Sequence, residues 1–375
     1  RQLRDNGVSD EVYAQADEAA RPGSLDLFPL LLEPQDWAQI EAGIVQRMRL
    51  NERLLADVYG PQRLLHQGLM PAAMVLGQPA YLRPLHSVAP VGGNYLNLAA
   101  FDLARDLDGG WHLLGQHSQA PVGLGYVLEN RVAISGQFPQ AFAALHVQRL
   151  ADTYHALVDG LKRMSPAGEQ AHVALLSPGP YSESYFEQAY LARYLGLSLV
   201  QGPDLVVRDQ RLYLKTLKEL VPVHALLKAV DDAWLYPLEL RAESSLGVPG
   251  LLQVVRAGHV LLANAPGCAL LESPAVLDFL PSLAPHLLDE ALRLPNWPRQ
   301  GTAPQLAHRP TWQADVAQVL ARPYTLRVFV VADGPQSWRV LPGGLASLQS
   351  STSDPPEAHL AAPQRSGSSA DVWAL

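Results

Sequence analysis

Residues 172–202 restrict the fold of this chain more than any other stretch. His172 to Leu176 reads as a short buried strand, and Ser177-Pro178-Gly179-Pro180 as a loop. Ser184 and Glu187 then have the spacing of a capping box for a helix running to about Leu195, with Gly196 as its stop. Leu197 to Val200 reads as the next strand. A strand, a helix and a strand in so short a span predict a parallel pair joined by a right-handed crossover. Downstream, Asp204 to Thr216 alternates apolar and polar residues around Asp209-Gln210, which predicts a hairpin. A short helix over Pro249–Ala257, stopped by Gly258, leads into a strand over His259–Ala263. The expected class is α/β, with residues 172–265 forming one small α/β unit.

A second constrained stretch lies between Tyr95 and Arg131. An apolar run ends with Asp102 and Leu103, Asp108-Gly109-Gly110 signals a turn, and Trp111 to Leu114 reads as the return strand. This hairpin places Asp102 near residues 115–117 on the neighbouring strand. Acidic residues on adjacent strands can cradle magnesium, which favours oxygen ligands. In the loop from Pro121 to Tyr126, Gly123 and Gly125 could let backbone amides approach a phosphate. A lone GxG is more often just a tight turn, and both readings stand.

The remaining pattern is coarser. Residues 1–70 read as mostly helical, with Pro34 to Tyr59 at helical spacing and Gly60-Pro61 as the stop. Residues 71–135 read as strand-rich, 139–165 as one helix and 266–293 as helical. Pro295, Pro298, Pro304 and Pro310 predict an irregular segment over 295–322. Two strands follow, over Thr325–Ala332 and Trp338–Leu341. The stretch 347–369, rich in Ser, Pro and Ala, predicts a mobile loop or tail. The expected divisions are 1–135, helices plus a strand-rich half; 136–265, the α/β unit; 266–346, a helical segment and a short remnant; and 347–375, a mobile tail.

Composition narrows the function. The chain has 375 residues, 48% of them hydrophobic and 17% charged, which describes a folded protein with an ample core. A net charge of −8 and the lack of a basic stripe argue against a nucleic-acid partner. The single cysteine, Cys268, rules out an internal disulfide framework and a cysteine-rich zinc site. The histidines show no HExxH or HxxxH spacing, and GxSxG and Walker A runs are absent. No apolar run is long enough for a membrane helix, so no membrane partner is expected and the expected location is the cytoplasm. Lys162, Lys215, Lys218 and Lys228 are the only lysines, so nothing after Lys228 offers an ammonium group to a phosphate.

The chain resembles the circularly permuted ATP-grasp proteins of type 2. The runs that carry the likeness are DNGV (5–8), LDLFPLLL (25–32), ADVYGPQRLL (56–65), QAPVGLGYVLENR (119–131), SPGPYSESYFEQAYLARYLG (177–196), LYLKTL (212–217), PLELR (237–241), GVPGLLQVVRAG (247–258), ANAPG and LESPA (263–275), LRVFVVADG (326–334) and RVLPGGL (339–345). The resemblance implies an ATP-grasp architecture permuted in sequence, with a central Rossmann-like, pre-ATP-grasp-like unit and a shortened second half. It implies ATP and magnesium as cofactors, and small carboxylate and amine substrates joined through an acyl phosphate, as in glutathionylspermidine synthase-like ligases. Asp102 becomes the expected metal ligand. Arg131 and Arg327 become the expected catalytic cations, and Gly123, Gly125, Asn264 and Arg365 the expected nucleotide contacts.

Three positions depart from the family pattern. The Glu-x-Asn pair that joins the metal site in relatives stands here as Gly115 and His117. The segment from Leu294 to Leu326 lacks the lysine that meets phosphates in relatives. The lysine of the last conserved run is Ala370. Two functional expectations therefore compete: an ATP-dependent carboxylate–amine ligase, or a catalytically silent binding or scaffold subunit with a protein partner. An incomplete gene product is a third. Each candidate also has a plainer role. Arg131 would serve as a salt-bridge partner, Asn264 as an Asx-turn, Arg241 as a structural residue, and Arg327 as a buried arginine that needs a carboxylate.

Overall fold

The computed structural model describes residues 24–298, 305–313, 318–348 and 368–375. Its largest feature is a nine-stranded sheet whose main path runs Ser24–Leu25, Ser368–Ala374, Leu345–Leu348, Gln318–Gly334, Leu98–Arg105, Trp111–His117. The long strand Gln318–Gly334 is its spine. It pairs antiparallel with Leu98–Arg105 on one side and with Leu345–Leu348 on the other. Residues 324–332 of this strand are all buried, as expected for a central strand of apolar and β-branched residues.

A separate four-stranded sheet is entirely parallel, in the order Leu261–Ala263, Ala225–Lys228, Val173–Leu176, Ser198–Val200. The predicted parallel pairing of the 173–176 and 198–200 strands is therefore present, with helix Tyr185–Leu195 between them. Gly196 ends that helix at φ 68°, the left-handed conformation a glycine stop supplies. The 205–208 and 211–215 strands form the predicted hairpin, in which Asp209 and Gln210 both have positive φ. Helix Pro34–Val58 lies where helical spacing placed it, and buries Ile40, Ile44, Met48 and Leu55 in a core continuous with both sheets.

Several expectations need correction. Residues 124–135, read as part of a strand-rich block, belong instead to a helix of 14 residues, Leu124–Gln137. The helix expected over 139–165 is two, Pro139–Ala144 and Ala151–Met164, broken where His146 takes φ 51°. The proline-rich stretch after Leu294 is less irregular than expected. His308–Gln313 pairs antiparallel with Gln318–Pro323. Pro310 is tolerated there because, among the described residues, this strand is paired on one side only, and such a strand loses little when one donor is missing. The tail expected over 347–375 ends in a strand instead. Ser368–Ala374 pairs with 24–25, 30–32 and 345–347, and Val372, Trp373 and Ala374 are buried. Arg365 lies outside the described residues.

Candidate functional site

The register of the large sheet builds the first cluster. Asp102 pairs with Arg327 on one side and with Gly115 on the other, while His117 stands opposite Ala100. The two-residue pleat puts Ala100 and Asp102 on the same face, so His117 reaches Asp102 diagonally. Gly115 has no side chain to fill the space opposite the carboxylate. Arg327 closes on Asp102 with two parallel hydrogen bonds, Nε to Oδ1 at 2.7 Å and Nη2 to Oδ2 at 2.8 Å. His117 Nε2 lies 2.6 Å from the same Oδ2 and 2.8 Å from Arg327 Nη2. Arg327 Nη1 donates to the Val122 carbonyl at 3.1 Å, which ties the glycine loop to this cluster.

Asp102 and Arg327 are 3% and 4% exposed. Burial alone would raise the Asp102 pKa, but the Arg327 guanidinium and His117 outweigh it and hold the carboxyl well below the usual carboxylate range. The donor set does not fit magnesium. The one acidic group is engaged through both oxygens by a guanidinium, and a divalent ion would have to displace that cation and then find further oxygen ligands. Among the described residues no group of three or more His, Cys, Asp or Glu side chains could hold a metal.

The second cluster is at the glycine loop. Gly123 has φ 120°, and the amides of Gly123 and Gly125 open helix Leu124–Gln137. Both amides donate to one oxygen, Glu187 Oε1, at 2.5 and 3.1 Å. The other carboxyl oxygen, Oε2, is buried without a hydrogen-bond partner. Burial pushes the Glu187 pKa up to about 7, against the pull of the loop amides and the Arg327 charge. Glu187 belongs to helix Tyr185–Leu195 of the parallel-sheet unit. The sequence pattern had assigned it to a capping box with Ser184. Instead Ser184 makes no cap bond, and its Oγ accepts from Gln188 Nε2 at 2.7 Å. Sequence reasoning missed Glu187 because its own helix start offered a local partner.

The other candidates do not converge on Asp102. Asn264 is saturated: Oδ1 accepts from the Asn97 and Leu98 amides at 2.6 and 2.9 Å, and Nδ2 donates to the Leu98 and Ser118 carbonyls at 2.6 and 2.5 Å. Arg131 pairs with Asp371 at 2.9 Å and donates to the carbonyls of Gln148 and Val372. Arg241 stacks over Trp234 at 4.1 Å. Lys228, at the end of its parallel strand, is buried against Asp232, whose second oxygen accepts from the Gly267 amide at 2.7 Å. A cavity of about 30 Å³ lies between the two sheets, lined by Pro121, Val122, Leu124, Glu187, Lys228 and Asn264 among others. Its position at the carboxyl ends of parallel strands is where open α/β sheets hold ligands.

A family model described as circularly permuted ATP-grasp type 2 matches residues 29–303. An uncharacterized protein of Mycobacterium bovis is 38% identical over 283 residues, covering 75% of this chain and 32% of its own length. One of Synechocystis is 33% identical over 293 residues, covering 78% of this chain and 61% of its own. One of Mycobacterium leprae is 33% identical over 293 residues, covering 78% and 52%. The chain thus spans between about a third and three fifths of these curated relatives. No helix among the described residues is long and apolar enough to cross a membrane.

Proposed function

The chain belongs to the circularly permuted ATP-grasp type 2 family, and from that premise we propose that it is a catalytically silent member, a binding or scaffold module that keeps the fold without ligase chemistry. One observation carries this reading: the Arg327 guanidinium sits on both oxygens of Asp102. A transferring phosphate needs metal ions to neutralise developing charge. Here a fixed organic cation already neutralises the only carboxylate expected to bind one. Arg327 is itself satisfied by Asp102, His117 and the Val122 carbonyl, so it is not aimed at a substrate. In this reading the parallel sheet and its helix are the Rossmann-like unit, the strands after residue 305 are what remains of a shortened second half, and the partner is another protein.

The ligase reading keeps one specific support. The cavity at the ends of the parallel strands, with Lys228 and Glu187 in its lining, is placed where a small carboxylate or amine could sit. ADP release from ATP, with and without magnesium, separates the two. The expected result is no release above the buffer background. Asp102→Ala should leave that background unchanged while lowering stability by about 3–5 kcal/mol, because it strands a buried guanidinium. Magnesium-dependent ADP release by the wild-type protein that Asp102→Ala abolishes would sink the silent reading and restore the enzyme.

A further inference from the structure

Three side chains from three different elements hold the backbone of the glycine loop. Arg327, on the strand Gln318–Gly334, donates to the Val122 carbonyl at 3.1 Å. Tyr154, on the helix Ala151–Met164, donates to the Leu124 carbonyl at 2.6 Å. Glu187, from the parallel-sheet unit, accepts from the Gly123 and Gly125 amides at 2.5 and 3.1 Å. The fit is close on both sides of the loop. A Cβ on Gly125 would lie 2.7 Å from the Glu187 Cγ and carbonyl oxygen, and one on Gly123 would lie 2.7 Å from Leu345 Cδ1. The loop is therefore clasped between the large sheet and the parallel-sheet unit, with Glu187 reaching across from the latter.

The three grips respond differently to pH. An arginine keeps its charge at any pH a folded protein meets. Burial holds the Tyr154 hydroxyl well above the ordinary tyrosine range, and the nearby Glu187 charge adds to the effect. Glu187 titrates near neutrality. The charged groups that face it are already engaged. Arg327 is committed to Asp102, and Lys228, which lines the same cavity of about 30 Å³, to Asp232. On the helix Leu124–Gln137, Arg131 is committed to Asp371, and Glu129 accepts from Tyr190. On the helix of Glu187 itself, Arg193 lies over the Tyr190 ring. Glu187 is 4% exposed, and its Oε2 is buried without a hydrogen-bond partner. A neutral carboxyl holds both amides through Oε1 and brings no charge into this site. An ionised one buries a charge with one oxygen undonated, and it is relieved by moving that oxygen out to water.

We propose that the contact between Glu187 and the glycine loop is a pH-operated latch between the parallel-sheet unit and the large sheet, closed while the carboxyl is neutral and released by its ionisation. Release detaches the start of helix Leu124–Gln137 from helix Tyr185–Leu195 and opens the cavity that Lys228 and Asn264 line. Because burial raises this acid, its contribution to the closed state is full below the ordinary value near 4.5 and is lost as pH rises through about 7. The latch acts whether or not the chain turns over ATP, so it stands apart from the silent-member reading.

Amide hydrogen exchange of Gly123 and Gly125 in the full chain, read by NMR from about pH 5 to about pH 8 and corrected for the intrinsic rate, tests this. Their protection should fall by up to about tenfold per pH unit to about pH 7 and then level off. The amides of Leu326 and Val330, on a strand paired on both sides, should stay better protected throughout, which marks the opening as local. Glu187→Gln, which keeps the contact and cannot ionise, should show flat protection at the loop. Glu187→Ala, with nothing to hold the amides, should be poorly protected at every pH. A wild-type loop without the fall would overturn the latch. The same fall in the glutamine variant would also overturn it, as would loop and core amides that lose protection in step. Should the glutamine variant not fold, the alanine variant decides alone: a fall with pH like that of wild type defeats the proposal, and a flat profile supports it.

Discussion

At the residue scale, two buried acids near the glycine loop are shifted in opposite directions. Asp102 is held ionised by a guanidinium and an imidazole. Glu187 has amide donors on one oxygen only, and burial raises its pKa to about 7. For an acid raised in the folded state, the stabilising contribution is full below the unfolded value near 4.5 and is lost as pH rises through about 7. Glu187→Gln removes that dependence, since an amide can accept from Gly123 and Gly125 through its oxygen and never ionises. The variant is therefore expected to match wild type near pH 4.5 and to exceed it at pH 8 by up to roughly 3 kcal/mol. Urea unfolding at both pH values checks this, and a stability difference that does not grow with pH would show that Glu187 is not ionised against its surroundings.

At the element scale, the strand Ser368–Ala374 depends on a helix far away in sequence. Arg131, on helix Leu124–Gln137, pairs with Asp371 and caps the Val372 carbonyl, and Asp371 also accepts from Trp373 Nε1 at 2.6 Å. Asp371 is fully buried. Arg131→Ala should destabilise the protein by about 3–5 kcal/mol, because it leaves that carboxylate without its counter-charge. Adding Asp371→Ala to it should recover part of the loss, and a double-mutant cycle in chemical unfolding reads the coupling. Simple additivity of the two substitutions would mean that the arginine does not act through Asp371. The same logic separates Arg131 from catalysis: its three contacts fasten a strand and a loop, and none reaches Asp102.

At the scale of the whole molecule, the two sheets are joined by backbone groups that one side chain satisfies. Asn264 follows the parallel strand Leu261–Ala263, and its amide bonds span Asn97, Leu98 and Ser118 beside the large sheet. Asn264→Ala would leave several buried backbone groups unpaired, at a cost of about 3 kcal/mol or more. Because the contact joins separate sheets, its loss is also expected to make unfolding less cooperative, seen as a lower denaturant slope. An Asn264→Ala protein with unchanged midpoint and slope would show that the sheets are held together by apolar packing alone.

Much of the architecture could be read from short stretches of sequence. The parallel 173–176 and 198–200 strands, the Gly196 stop, the Asp209-Gln210 hairpin and the Asp108-Gly109-Gly110 turn are all signalled by a few neighbouring residues, since φ preferences and side-chain periodicity act locally. The family likeness was legible for the same reason, being carried by contiguous runs. Helix Leu124–Gln137 was not, because VGLGYVLENR offers a glycine turn and an apolar run but little helical spacing. Nor was the closing strand 368–374, since nothing local distinguishes SSADVWA from a tail until it meets strands from both ends of the chain. The site shows the divide most sharply. Sequence alone determined that Asp102 would stand on a hairpin beside Gly115 and His117. Only tertiary structure decided that Arg327, 225 residues away, would neutralise it, and that Glu187, 64 residues from Gly123, would enter the glycine loop. A buried charge takes whichever partner the fold brings within hydrogen-bond reach, and that partner is set by sheet register and helix packing rather than by distance along the chain.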